Sequence, residues 1–145
     1  MLNQQHYTEG LDVWSIGCIF GELMMRATIF QGQHNMKQLD KIVETIGYPT
    51  DDDLAFINND HSLSYLRRLP KKAPVKWEER IPNANPLAID LLTRMLSFSP
   101  ERRISVMDAI HHPYFENFKN LGEPPVSETK FDFSWDQFEL NKQLL

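Results

Sequence analysis

Cysteine is nearly missing from this sequence. Cys18 is the single one in 145 residues, so no disulfide framework can hold a chain together, and a reducing compartment is the expected setting. Glycine is sparse too: its six positions, 10, 17, 21, 32, 47 and 122, are too scattered to build a glycine-rich loop that cradles phosphate. Long hydrophobic runs are absent. The stretch 13–25 is apolar, but Ser15 and Glu22 interrupt it and it is 13 residues long, against the roughly 20 needed to span a bilayer. Asn3, Gln4, Gln5, His6 and Glu9 break any leading apolar run, so no signal peptide is expected at the start. Positive charge is not in excess. A net charge of -5 and a pI near 5.5 argue against nucleic acid or a membrane surface as the main partner. The basic cluster Arg67, Arg68, Lys71, Lys72 and Lys76 reads as a solvated face. No convincing alternating strand and no internal repeat is present, which leaves an all-α chain with a modest core.

Helical spacing accounts for most of the chain. Thr8 is placed to cap a helix with Glu9 and Asp12 in its first turn, against the positive end of the dipole. Val13, Trp14, Ile16, Cys18, Ile19, Phe20, Leu23 and Met24 cover nearly every side of that helix. A helix apolar all round belongs at the centre of a domain, wrapped by other elements. Cys18 has no basic neighbour in sequence and reads as an inert buried thiol. A second helix is expected over Asn35–Ile46, with Met36, Leu39, Ile42, Val43 and Ile46 in one stripe and Gly47 as its stop. Thr50 and Asp53 form a capping box that opens a short helix through Ile57. A further piece spans 62–69, before Pro70. The stretch 71–83 reads as a loop anchored by Val75 and Trp77. Asn85 and Pro86 start an amphipathic helix carrying Leu87, Ile89, Leu91, Leu92, Met95 and Leu96. Ser105 and Asp108 make a second capping box, for a helix stopping at His112 before Pro113. From Asn117 onward the chain reads as an extended tail dotted with aromatic anchors: Phe131, Phe133, Trp135 and Phe138.

Three groups of residues are more specific. Asp12-Val13-Trp14-Ser15-Ile16-Gly17-Cys18 is similar to the start of the central helix of protein kinases. Arg103-Ile104, Ala109, His112-Pro113 and Phe115 resemble the end of the kinase large lobe. Between them, Phe30-Gln31-Gly32 and Gln38-Leu39 resemble the group that holds cyclin-dependent and mitogen-activated kinases. Leu69-Pro70, Val75-x-Trp77, Pro82-Asn83-Ala84, Asp90-Leu91-Leu92 and Met95-Leu96 narrow the resemblance to mitogen-activated protein kinases. It runs from Met1 to about Phe133. The fold it implies is a partial kinase C-lobe over 1–116, with a tail containing a docking-like segment over 117–145.

The resemblance also assigns residues. Asp12, with Trp14 and Gly17 in the same motif, matches the acid at the buried start of the central helix, whose carboxylate accepts hydrogen bonds from the catalytic-loop backbone. Arg103 matches the arginine that pairs with a glutamate closing the activation segment. The plain readings are a helix-start acid on the surface and a solvated arginine beside Arg102; the surrounding motifs favour the family reading. Both are then halves of pairs, because the chain has no His-Arg-Asp, no Asp-Phe-Gly, no Ala-Pro-Glu and no strand lysine. Phosphoryl transfer needs a catalytic aspartate, metal-binding groups and a phosphate cradle together. The expectation is therefore a fragment with no catalytic, cofactor-binding or metal residue, although the full-length family uses ATP and magnesium. Asp108, His111 and His112 have a spacing a metal can use, but His-Pro before an aromatic is a structural feature of kinases.

Docking is what the resemblance leaves to this chain. A hydrophobic pocket that takes aromatic peptides from substrates corresponds to Met1, Leu2, Asn35, Met36, Leu39 and Tyr65, with Asn35 departing from the family's common aromatic; the plain reading of Met36 and Leu39 is a core stripe. The acidic common-docking patch corresponds to 120–125, where Asn120 replaces an aspartate and only Glu123 keeps a charge, so docking there is expected to be weak or altered. Implied partners are the missing small lobe and catalytic and activation segments, protein substrates and upstream kinases, in cytoplasm and nucleus. A stand-alone interaction module is the alternative. With its neighbours removed, the greasy central helix is expected to make the isolated chain self-associate or rearrange.

Overall fold

The computed structural model describes residues 9–121, 127–132 and 134. Seven helices run through them: α1 (Glu9–Met25), α2 (Asn35–Ile46), α3 (Asp51–Leu54), α4 (Asp60–Arg68), α5 (Trp77–Arg80), α6 (Pro86–Met95) and α7 (Val106–Ile110), followed by a 3-10 segment, Pro113–Leu121. No strand occurs among the described residues. The chain is all-α.

Local chemistry sets most boundaries. The Thr50 hydroxyl accepts from the Asp53 amide, while the Asp53 carboxylate accepts from the Thr50 amide, so the capping box that opens α3 is complete. Asn85 caps α6 through the Leu87 amide, with Pro86 at the first helical position. Ser105 caps α7 through the Asp108 amide. Gly47 ends α2 with φ 93°, in the region open to glycine, and its amide donates to the Val43 carbonyl. Several boundaries differ from the sequence reading; α7, for one, ends at Ile110 and not at His112. The α3 helix stops at Leu54 instead of Ile57, and α4 begins at Asp60, because Asn59 caps it through the Ser62 amide. The expected loop 71–83 contains α5, a single turn seeded by buried Trp77. Residues 117–121 continue a 3-10 segment that starts at Pro113.

The centre of the molecule is α6, not α1. Leu92 is 0% and Leu91 1% exposed, with Ala88, Ile89 and Met95 also buried, each large side chain contributing about 1.5–3 kcal/mol. One side of α1 lies on α6. Val13, Gly17 and Gly21, four residues apart, form its buried edge. A Cβ added at Gly17 would sit 2.9 Å from the Met95 Cβ, and one at Gly21 2.7 Å from the Ile29 Cδ1, so the glycines set how closely the helices pack. The other side is bare: Ile16 is 54%, Ile19 59% and Leu23 72% exposed. The all-round apolar pattern of α1 correctly demands neighbours, but the described chain supplies them on one side.

Around α6, one cluster joins Ile29, Phe30, Trp77, Ile81 and Ile89, and another joins Val13, Leu91 and Met95. A third, built on Leu39, Val43, Leu54, Ile57 and Leu66, ties α2, α3 and α4 together. Phe131 is 68% exposed; Phe133, Trp135 and Phe138 lie outside the described residues, as does Thr8.

Candidate functional site

Two motifs distant in sequence meet at Arg103. Its guanidinium donates to the carbonyl oxygen of Gly10 in α1 and to those of Ser97 and Phe98 after α6. The guanidinium carbon also lies 4.9 Å from the centroid of the Trp14 ring, a cation–π contact. Trp14 in turn stacks on Phe30, with centroids 5.6 Å apart and planes 10° from parallel. Burial lowers the Arg103 pKa to about 10, still far enough above neutrality to keep it charged. Among the described residues no carboxylate forms an ion pair with it. Cys18 lies near this group; burial, with Glu22 adding to it, pushes its thiol up to about 11, so at neutral pH it is a thiol and a poor nucleophile.

Asp12 is exposed. The catalytic-loop backbone that the resemblance implies as its hydrogen-bond donor is not among this chain's residues. Gly17 is buried against α6 as described above.

The candidate docking residues separate into different environments. Leu39 is 6% exposed, inside the core cluster of α2 to α4, and Tyr65 packs against the same cluster. The Tyr65 hydroxyl donates to the Asp40 carboxylate. Asn35 is exposed at the start of α2 and Met36 is half-buried. Met1, Leu2 and Glu123 lie outside the described residues, and Asn120 is described only as part of the 3-10 backbone.

Three polar ties were not read from the sequence. The Gln38 side chain accepts from the Gly32 amide at 2.7 Å and donates to the Phe30 carbonyl at 3.2 Å, pinning the loop before α2. The Asp40 carboxylate joins α2 to α4 through Tyr65 and also accepts from the Lys37 ammonium at 2.9 Å. Buried His112 accepts the Tyr114 amide at Nδ1, which places its proton on Nε2, 2.9 Å from the Asp90 carboxylate. That contact, with Arg94 also bound, keeps the Asp90 carboxyl below its usual range. The His-Pro spacing was the visible signal for the last of these; its acidic partner, 22 positions away, had none.

Among the described residues no three of His, Cys, Asp and Glu come together as metal ligands. The clefts found measure about 100 and 290 Å³. The larger is lined by Trp77, Leu96 and the Asp53–Arg102 ion pair, at 3.2 Å. Neither carries a glycine-rich turn over basic side chains. Among the described residues neither a glycine-rich turn nor a metal-ligand cluster stands ready to hold ATP and magnesium.

The family model for the protein kinase domain matches residues 1–115. The chain belongs to the protein kinase family. Among curated relatives it is 42% identical to mitogen-activated protein kinase spm1 of Schizosaccharomyces pombe, covering 96% of this chain and 33% of that protein. It is 39% identical to extracellular signal-regulated kinase 1 of Dictyostelium discoideum, over 100% of this chain and 27% of that one. Mitogen-activated protein kinase 5 of Oryza sativa subsp. indica is 41% identical over 98% and 38%. This kinase segment thus spans about a third of the length of the curated relatives it matches. Among the described residues no helix is long and apolar enough to cross a membrane.

Proposed function

We propose that this chain is the carboxyl-terminal part of the large lobe of a mitogen-activated Ser/Thr protein kinase, and that the whole protein transfers the γ-phosphoryl group of ATP to protein hydroxyls. Within it the chain is scaffold and docking surface. It supplies no catalytic, nucleotide or metal residue, and the magnesium-ATP site belongs to the remaining segments of such a kinase. Upstream kinases and protein substrates are the partners of the whole protein, at work in cytoplasm and nucleus.

The observation that carries this reading is the pairing of similarity with incompleteness on α1. The helix that bears the kinase motif buries Val13, Gly17 and Gly21 but leaves Ile16, Ile19 and Leu23 bare. A stripe of that size is a surface to be covered, and the small lobe with the catalytic and activation segments is the cover. The docking residues Asn35, Met36, Leu39 and Tyr65, with Met1 and Leu2, belong to the same reading as a candidate peptide pocket, and Asn120 and Glu123 as a weakened charged patch.

The test is the coding sequence upstream of Met1, followed by phosphate transfer. An in-frame continuation carrying Ala-Pro-Glu, Asp-Phe-Gly and His-Arg-Asp is expected. Its product should label a Ser/Thr protein with radioactive ATP and magnesium, while this chain alone should neither label it nor gain thermal stability from nucleotide. A stop codon in place of those motifs favours the stand-alone interaction module. Reproducible nucleotide-dependent stabilisation of this chain overturns the assignment of the nucleotide site to other segments.

A further inference from the structure

Five of the 15 basic side chains, Arg67, Arg68, Lys71, Lys72 and Lys76, fall between Asp60 and Trp77, in a stretch with no Asp or Glu, although the chain's net charge is -5. All five are exposed. The C-terminal end of a helix favours cations, which explains Arg67 and Arg68 in the last turn of α4. It does not explain the lysines that follow. Lys76 is paired with Glu79 at 3.4 Å, and the Lys71 ammonium sits 5.6 Å from the centroid of the Tyr48 ring. Arg67, Arg68, Lys71 and Lys72 enter no ion pair among the described residues.

Beside this run is the smaller cleft, about 100 Å³, with Val43, Leu69 and Pro70 as apolar walls and Asp40, Glu44 and Lys72 around them. Both acids are already engaged. Asp40 holds Lys37 at 2.9 Å and Tyr65, and Glu44 holds Lys41 at 2.7 Å. Lys72, at the rim, lies close enough to Glu44 to lower its pKa but forms no ion pair with it, and Arg67, Arg68 and Lys71 flank Leu69 and Pro70 in sequence. An apolar notch beside cations that form no ion pair is complementary to one kind of chain: an aliphatic side chain followed by carboxylates.

We propose that this surface docks an acidic peptide segment of a partner protein, with one aliphatic side chain in the notch between Val43, Leu69 and Pro70 and carboxylates on Arg67, Arg68, Lys71 and Lys72. The notch favours a peptide over a nucleic acid or an anionic membrane, since neither of those offers an aliphatic side chain to fill it. The site is independent of phosphoryl transfer.

Fluorescence polarisation tests it, with the chain titrated into a fluorescein-labelled peptide of one leucine followed by four glutamates. Arg67→Glu with Arg68→Glu should weaken binding by about tenfold or more, with an unchanged circular dichroism spectrum. Replacing the peptide's leucine by alanine should also weaken it, and Lys130→Glu, a reversal elsewhere on the surface, should leave it unchanged. The unaltered chain should lose affinity as salt rises from about 50 to about 500 mM. Absence of saturable binding, salt-independent binding, or equal loss in Lys130→Glu overturns the proposal. So does tighter binding of single-stranded RNA or phosphatidylserine vesicles through the same arginines.

Discussion

Arg103 lays its guanidinium 4.9 Å over the ring of Trp14 while donating to carbonyl oxygens on both sides of the α1–α6 junction. One side chain thus joins the two ends of the kinase motif. Arg103→Ala strands the carbonyls of Gly10, Ser97 and Phe98, and the expected loss is about 1–3 kcal/mol. Arg103→Lys should recover less than half of that, because an ammonium neither forks across several carbonyls nor lies flat on an indole. Urea denaturation followed by tryptophan fluorescence measures both, and an Arg103→Ala chain as stable as its parent would contradict the role.

The tie between α2 and α4 makes stability pH-dependent. The Tyr65 hydrogen bond, together with Lys37 and against the opposing effect of burial, holds the Asp40 carboxyl below its usual value of 3.8. A carboxyl depressed in the fold contributes stability above its unfolded pKa and loses it as pH falls through the folded one. Tyr65→Phe is expected to cost about 1 kcal/mol at neutral pH, and the gap should shrink below about pH 4. Urea midpoints at pH 7 and pH 3 measure it; a gap of the same size at both would falsify the assignment.

Gly17 is a spacing residue. Its added Cβ would stand 2.9 Å from that of Met95, so Gly17→Val is expected to cost about 1–3 kcal/mol by overpacking. Ser15→Val, at an exposed position on the same helix, should stay within about 0.5 kcal/mol. Thermal melts of the pair distinguish close packing from a general effect on helix propensity.

What the sequence disclosed follows from the range of each interaction. The capping box at Thr50–Asp53 and the Ser105 cap on the Asp108 amide act over three residues and are legible in the sequence, as are the periodic stripe of α2 and the Pro86 start of α6; the reciprocal half of the box expected at Ser105–Asp108 does not form. Asn59 was passed over as a cap, and the turn at Trp77 was masked by flanking prolines. Contacts across many positions left no local trace: Tyr65 reaches Asp40 over 25 residues and Arg103 reaches Gly10 over 93. The family motifs pointed to Trp14, Gly17 and Arg103 as structural, and each has close partners. Asp12 is exposed, and the catalytic-loop backbone that the resemblance implies for it is not in this chain.

The bare stripe on α1 should govern behaviour in solution. Ile16, Ile19 and Leu23 are expected to drive concentration-dependent association of the isolated chain. Ile19→Lys with Leu23→Lys should reduce that association with little change in melting temperature, since neither side chain is packed. Sedimentation velocity over a concentration series gives the answer. A monomer at every concentration before substitution would count against it.

One edge of α1 meets the side chains of Met95, Leu96 and Leu92 through two residues without side chains, so a bulkier residue at either position would push the helix off α6. A partner seated on Ile16, Ile19 and Leu23 would therefore lie across the helix from the buried Leu91 and Leu92.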